Sequence, residues 1–365
     1  MKIQFVHLLD NFTGSPRMLS NVLNILKTDP RFSISVITSK TNGFISNVNG
    51  IYITDNKYIW RNNKLLRIVN LLCSEIFIFF KILLDNSIDI VYINTILPFS
   101  AALAGKLCHK KIIYHVHEVY TNPSIFQRIC AFVMCKTATH IFVVSKYVAE
   151  FYKGKINCSF DIVYNTVSDE YKNKASIFIK NNSNLCKSKF NNKLIIMVTG
   201  LKEYKGIYQF VEIAKKLPHY TFLMIVSEDK LNTTRYFSCV KLPENLHFDY
   251  NVSDIINYYA KSSIVLCLTL PDIIKETFGM TLIEGFELGS PCIAPNAGGP
   301  KEVVEDSKNG YLVDPYNIDD IARKINSLLS DYNTYKDFFL YALETAKKFA
   351  STSINTIKKY LDSVL

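Results

Sequence analysis

The apolar positions of this chain fall in short, nearly unbroken runs separated by longer amphipathic stretches. Runs at 3–9, 33–38, 90–94, 112–117, 140–144 and 161–164 are hydrophobic along most of their length rather than at every second residue. Strands of that kind are buried on both faces, as in a parallel sheet covered by helices. A second series at 194–198, 220–226, 246–248, 264–268, 291–294 and 310–313 repeats the rhythm. Between them lies 168–192, rich in Asn, Lys and Ser, which reads as a linker or surface excursion. The pattern predicts two α/β units, each with strand and helix in alternation.

One helical stretch departs from the amphipathic rule. Residues 65–84, LLRIVNLLCSEIFIFFKILL, are apolar on nearly every side. Arg67, Asn70, Glu75 and Lys81 make a membrane span expensive, so the default is a core helix of the first unit. The sharper alternative is peripheral docking on an anionic leaflet, through this segment and neighbouring lysines.

Composition supports two folded domains. A chain of 365 residues exceeds one ordinary core, and 48% hydrophobic with 13% aromatic residues excludes extensive disorder. Nine scattered cysteines without a C-x-x-C pair point to reduced thiols, with neither a disulfide framework nor a zinc site. The opening MKIQFVHLL reads as a first strand rather than a leader, so a cytoplasmic protein is expected. Charge is uneven: residues 1–165 hold 18 Lys plus Arg against 9 Asp plus Glu, leaving 24 against 23 for the rest. A net +9 on the first half favours anionic lipid or pyrophosphate-linked partners. No helix-turn-helix, RNA-binding or zinc-finger signature is present, so nucleic acid is not the expected partner.

The most informative chemistry is in KETFGMTLIEGFELGSPCIAPNAGGPKE, residues 275–302. Glu276 and Glu284 stand eight positions apart around Phe278 and Gly279, at the mouth of a short apolar helix. Amides of 278–281, including those of Met280 and Thr281, would face a phosphate there. Glu284, one turn in, is placed to accept from two ribose hydroxyls, and Glu276 from hydroxyls of a sugar beyond the diphosphate. Taken as two isolated glutamates, the same residues would be a solvated helix face. His115 and His117 fall on one face of a strand, but no further ligand cluster accompanies them and no metal is expected.

The stretch Glu276-Thr-Phe-Gly-Met-Thr-Leu-Ile-Glu284, followed by Gly289-Ser-Pro291 and Gly298-Gly-Pro-Lys-Glu302, resembles the E-x7-E region of the retaining glycosyltransferases of family 4. Thr199-Gly-Leu-Lys202-Glu-Tyr-Lys205-Gly206 resembles the G-R-L-x-x-x-K-G of that family, with Gly200 where an arginine is usual. Ile162-Val-Tyr-Asn165-Thr-Val167 resembles the sequence that ends its first domain, with Thr166 in place of Gly, and Val143-Val-Ser145-Lys146 its preceding V-S stretch.

The resemblance implies a GT-B fold: two Rossmann-like domains with parallel sheets facing a central cleft. It divides the chain into an acceptor domain at 1–167, the excursion at 168–192, a nucleotide-sugar domain at 193–350 and a terminal helix at 351–365 that returns to the first domain. Lys205 would contact the donor diphosphate, and Lys202 would stand in for the missing arginine as a point charge. His117 would touch the donor sugar near its C6 hydroxyl. Gly14 would leave room for the donor, with Ser15 as helix cap and Pro16 at the first helical position. Arg17 would meet acceptor phosphate, and Glu118 would orient His117 or meet the acceptor.

The activity implied is retaining, metal-independent transfer of a hexose-type sugar from a UDP- or GDP-linked donor, without a cofactor. The acceptor would be a saccharide, on a lipid carrier, in surface polysaccharide (O-antigen or capsule) assembly, with possible peripheral contact with the inner membrane face. A catalytically degenerate binder or membrane-associated partner protein, or a GT-B epimerase, are the rivals. A dinucleotide oxidoreductase is disfavoured because no G-x-G-x-x-G follows the first strand.

Overall fold

The computed structural model describes residues 1–156, 158–252 and 254–365. The chain divides into two compact units, Met1–Asn165 with Thr352–Leu365, and Thr166–Ser351. The first begins β1 (Lys2–Val6), α1 (Gly14–Leu26), β2 (Ser33–Thr38), β3 (Tyr52–Asp55), α2 (Lys64–Leu83) and β4 (Ile90–Asn94). It continues with α3 (Phe99–Leu107), β5 (Lys111–Val116), α4 (Ile125–Thr137), β6 (His140–Val143), α5 (Lys146–Tyr152) and β7 (Ser159–Ile162). All seven strands pair in parallel, in the order β3-β2-β1-β4-β5-β6-β7.

β4 is buried at every position, and Ile3 of β1 lies opposite Ile34 on one side and Ile90 on the other. Such unbroken burial explains why these strands read as continuous apolar runs. β3 and β7, the two edge strands, fall outside that pattern, β7 being exposed at Ser159, Phe160 and Asp161. In β3 Tyr52 is exposed and the other three residues are half-buried, so no apolar run announced it.

Only one face of α2 joins the core. Ser74, Glu75, Ile78 and Ile82 are buried, and Ser100 N at the start of α3 donates to Glu75 Oε2 over 3.0 Å. Leu65, Leu66, Val69, Leu72 and Ile76 are exposed, which corrects the core-helix reading for the outer face. No helix among the described residues is long and apolar enough to cross a membrane.

The second unit starts with α6 (Asp169–Asn181) and α7 (Leu185–Asn192), where a linker was expected. Both helices are polar outside and hold few inward residues: Tyr171 and Ala175 on α6, Leu185 and Lys189 on α7. A lysine among so few buried positions hides the helical pattern, which is why composition alone read as a linker. Next come β8 (Leu194–Thr199), α8 (Ile207–Lys216), β9 (Thr221–Val226), α9 (Lys230–Tyr236), β10 (Leu246–Tyr250), α10 (Ile256–Lys261) and β11 (Ile264–Leu266). The chain ends with α11 (Met280–Phe286), β12 (Cys292–Pro295), α12 (Pro300–Val303), β13 (Gly310–Val313), α13 (Ile318–Ser330) and α14 (Tyr332–Ser363). The sheet is again parallel, in the order β10-β9-β8-β11-β12-β13. α13 buries Ile321, Ile325, Leu328 and Leu329 at helical spacing, each contributing about 1.5–3 kcal/mol.

The end of α14 belongs to the first unit. Ile357 and Leu361 are fully buried in its core, and Tyr360 stacks on His140 with ring centroids 3.8 Å apart. Asp362 pairs with Arg31 at 2.9 Å.

Candidate functional site

Each sheet has one place where successive strands run outward in opposite directions: between β1 and β4 in the first unit, and between β8 and β11 in the second. Parallel sheets bind ligands in the crevice beyond the strand carboxyl ends at that point. The residues singled out in the sequence gather at these two places.

In the second unit, β8 runs into the loop that carries Lys202 and Lys205, and β11 into the loop that carries Thr269 and Glu276. Lys205 Nζ forms an ion pair with Glu276 Oε1, and Thr269 Oγ1 donates to the same oxygen over 2.9 Å. Burial would lift the Glu276 carboxyl, but the Lys205 ammonium and the hydrogen bonds hold it below the ordinary carboxylate range. Burial likewise acts to lower the Lys205 ammonium, and Glu276 keeps it above its usual value. The pair is therefore charged on both sides. Lys202 is exposed, and its Nζ lies 5.8 Å from the Tyr204 ring centroid, with Lys205 Nζ at 5.7 Å from the same ring.

Two glycines let the backbone close up around this pair. Gly206, at φ +76°, ends the turn of Lys205 and starts α8, and a Cβ there would collide with the Leu268 carbonyl. Gly298, at φ +63°, lies so close that a Cβ would strike the Glu276 carbonyl, while Gly299 N donates to that carbonyl over 2.8 Å. The Gly298-Gly-Pro segment thus braces the loop that presents Glu276.

Glu284 sits on α11 and is 4% exposed. Its Oε2 accepts from Tyr259 Oη over 2.7 Å, and its backbone oxygen from Tyr171 Oη over 3.0 Å. Phe278 turns its ring into the core, 5.7 Å from that of Phe349, so only its main chain is available to a ligand. Gly279 caps α11 at φ +106°, and Met280 and Thr281 are half-buried in its first turn.

In the first unit, His117 follows β5 and is half-buried. Its Nε2 lies 2.9 Å from Asn94 Oδ1, and its ring centroid 4.4 Å from that of His115. Burial, then His115 and His7, push the His117 imidazole well below its usual range. His115 is fully buried, with Nδ1 2.9 Å from Tyr92 Oη, and burial lowers it to about 3. Glu118 accepts from Ile96 N over 2.9 Å and from His117 N over 3.0 Å, so it orients the main chain of His117 rather than its ring. Burial pushes the Glu118 carboxyl up to about 7.

The loop after β1 corrects one expectation. Helix α1 starts at Gly14 after Thr13, so Ser15 is not its cap and Pro16 is the third helical residue rather than the first; the Thr13 amide and hydroxyl both turn back to Asn11 Oδ1, and its side chain makes no capping bond. A Cβ on Gly14 would meet nothing within 4 Å, so open space adjoins it. Arg17 holds its guanidinium 5.5 Å over the ring of Phe44.

Sequence reasoning missed Asn94, Thr269, Tyr259, Tyr171 and Lys189. A polar residue at or just past the end of an apolar strand was a usable signal for Asn94 and Thr269. Nothing local marked the other three.

Residues 181–345 match the family described as Glycosyl transferases group 1, and residues 30–171 match Glycosyltransferase Family 4. An uncharacterized glycosyltransferase of Haemophilus influenzae is 29% identical over 156 residues, 40% of this chain and 42% of that one. The N-acetyl-alpha-D-glucosaminyl L-malate synthase of Bacillus anthracis is 23% identical over 213 residues, 55% of this chain and 52% of its own. The chain thus spans about half the length of the curated relatives it matches. The crystal structure of Anabaena HepE with UDP and glucose superposes with a TM-score of 0.77 over 100% of this chain and 99% of that one, at 17% identity. At that identity the likeness speaks for the fold. With both parts of the chain matched and each built on a parallel sheet, the chain belongs to the GT-B glycosyltransferases, family 4 in the first part and group 1 in the second.

Proposed function

We propose that this chain transfers a hexose-type sugar from a UDP- or GDP-linked donor to a hydroxyl of a saccharide acceptor, with retention and without a metal or cofactor. The observation that carries the reading is the Lys205–Glu276 pair at the β8/β11 switch point. A cation for diphosphate and an acceptor for sugar hydroxyls share one spot, as a nucleotide sugar demands.

In this reading Lys205 and Lys202, with the amides of 278–281, meet the charge that grows on the leaving diphosphate as the anomeric carbon gains oxocarbenium character. Glu276 holds sugar hydroxyls and Glu284 the ribose. The acceptor hydroxyl attacks on the face that the diphosphate leaves, and a donor phosphate oxygen takes its proton. Arg17 is assigned to acceptor phosphate.

A lipid-linked acceptor in surface polysaccharide assembly, O-antigen or capsule, is supported by the outer face of the first unit. α2 exposes Leu65, Leu66, Val69, Leu72 and Ile76, and Trp60 just before it lies under Arg67 at 4.6 Å. The only acid on α2, Glu75, is buried, and its other charges are Lys64, Arg67 and Lys81. An exposed apolar helix face on a unit with an excess of Lys and Arg fits an anionic membrane surface.

The test is the thermal shift of the full chain with UDP, GDP, dTDP and CDP, repeated on Glu284→Ala, followed by turnover of the matching sugar donor, beginning with UDP-glucose. A ligand of the native state stabilises by mass action. One nucleotide that shifts the wild type and not the variant is expected. No shift with any nucleotide, or a shift that Glu284→Ala keeps, overturns the reading.

A further inference from the structure

Asn94 is the last residue of β4 and fully buried, at the point where the first sheet changes direction. Its side-chain amide meets three neighbours. Oδ1 lies 2.9 Å from His117 Nε2, while Nδ2 lies 3.1 Å from the Ser15 carbonyl oxygen and 3.1 Å from His7 Nδ1. The two ends of an amide are told apart only by what they face. A backbone carbonyl can only accept, so the end facing Ser15 is the nitrogen. The oxygen is thereby turned to His117, and it too can only accept. His117 must donate from Nε2.

His7 does not alter this, because its Nδ1 lies 3.1 Å from the Asn94 amide nitrogen and 3.2 Å from the Asn94 carbonyl oxygen, contacts that ask for opposite tautomers. The Ser15 contact alone decides the orientation. A second proton on His117 is disfavoured by burial and by His115 and His7 nearby. Nδ1 of neutral His117 then carries a lone pair. No protein group among the described residues bonds to it, and it is not among the fully buried, unpartnered atoms. It is an acceptor that solvent or a ligand can reach.

We propose that Asn94 is a positioning residue that locks His117 in the Nε2–H tautomer, so that Nδ1 accepts a hydrogen bond from a hydroxyl of the bound sugar. The sugar's identity as ligand rests on the transferase reading; the tautomer does not. A site built to accept from a hydroxyl rejects the analogue that lacks it, because the acceptor is then left unpaired behind the bound sugar. Asn94 therefore sets specificity at a distance, through the proton it places on His117.

The test has two arms on the full chain. Long-range proton–nitrogen spectra with ring-labelled histidine, the His117 signal being assigned by its loss in His117→Gln, are expected to show a single Nε2–H tautomer at neutral pH. Asn94→Leu should give a mixture. An Nδ1–H tautomer in the wild type, or an unchanged tautomer in Asn94→Leu, overturns the lock. If Asn94→Leu does not fold, Asn94→Asp serves instead: a carboxylate can only accept, so Nε2 should stay protonated, and a neutral ring with its proton on Nδ1 overturns the lock equally.

The second arm compares turnover of UDP-glucose with that of its 2-, 3-, 4- and 6-deoxy counterparts. One deoxy donor should fall by about tenfold or more in kcat/KM in the wild type, and that gap should close in the Asn94 variant. Equal turnover of all five overturns the acceptor role of Nδ1 while the spectra still judge the tautomer. A wild type inactive on every nucleotide sugar counts against the transferase reading, and against the lock only if the spectra disagree as well.

Discussion

Tyr259 Oη donates to Glu284 Oε2 across 2.7 Å, with both side chains buried. That bond aims the carboxylate, and the helices at 169–192 brace it from behind. Tyr171 on α6 donates to the Glu284 carbonyl, and Lys189 on α7 donates to the carbonyl of Tyr259 near the end of α10 and, over 2.8 Å, to Ser290 Oγ.

Tyr259→Phe should therefore weaken nucleotide binding by about five- to tenfold, the net worth of one hydrogen bond. If Glu284 reads ribose, the preference for UDP over 2′-deoxy-UDP should narrow as well. Calorimetric titration of both ligands checks this, and wild-type affinity with wild-type preference would show that Tyr259 merely fills space.

Lys205→Ala should weaken UDP by roughly 10- to 100-fold and leave uridine within about twofold, because only the diphosphate uses the charge. It also carries a pH signature. The folded Glu276 carboxyl is depressed, so the pair's stabilisation is full above the ordinary carboxylate pKa of about 4.3 and is lost as pH falls through the lower folded value. The wild type should exceed the variant by about 1–3 kcal/mol at pH 7, with the gap closing in acid. Urea melts from pH 7 to 3 measure it; a gap independent of pH would exclude the ion pair as its source.

Burial lowers Lys189 to about 7. Between that value and the unfolded lysine pKa of about 10.4, the unfolded chain holds a proton that the folded chain lacks, so stability rises with pH across the window. The wild type should gain roughly 1 kcal/mol per pH unit from pH 7 towards 10, and Lys189→Met should lose that slope. Denaturant melts of the two proteins over this range, compared as a difference, test the point. Parallel curves would mean that Lys189 keeps its proton in the fold.

Paired substitutions Leu66→Glu and Leu72→Glu lie on the exposed face of α2 and touch no candidate ligand contact. They should reduce partitioning onto vesicles of phosphatidylcholine with phosphatidylglycerol by about tenfold or more while sparing nucleotide shifts. Wild-type binding should rise with the anionic fraction and fall with salt, the screening length being about 8 Å at physiological strength. Binding that ignores both would remove the membrane contact.

The sequence carried whatever depends on local pattern. Burial on both faces makes strands such as β4 apolar along their whole length, and the glycine of a close approach, such as Gly206 or Gly298, is dictated by its own backbone. Glu276, Glu284 and Lys205 were marked as candidates by the short motifs in which they stand, which resemble those of family 4. Only tertiary structure could pair Lys205 with Glu276, 71 residues away, or place Tyr259 on Glu284 and Asn94 on His117. It also turned a polar stretch into α6 and α7, since the burial of Lys189 depends on carbonyls some 70 residues along. Whether a polar side chain faces water or a partner is decided by what the fold packs against it, and one segment alone does not contain that.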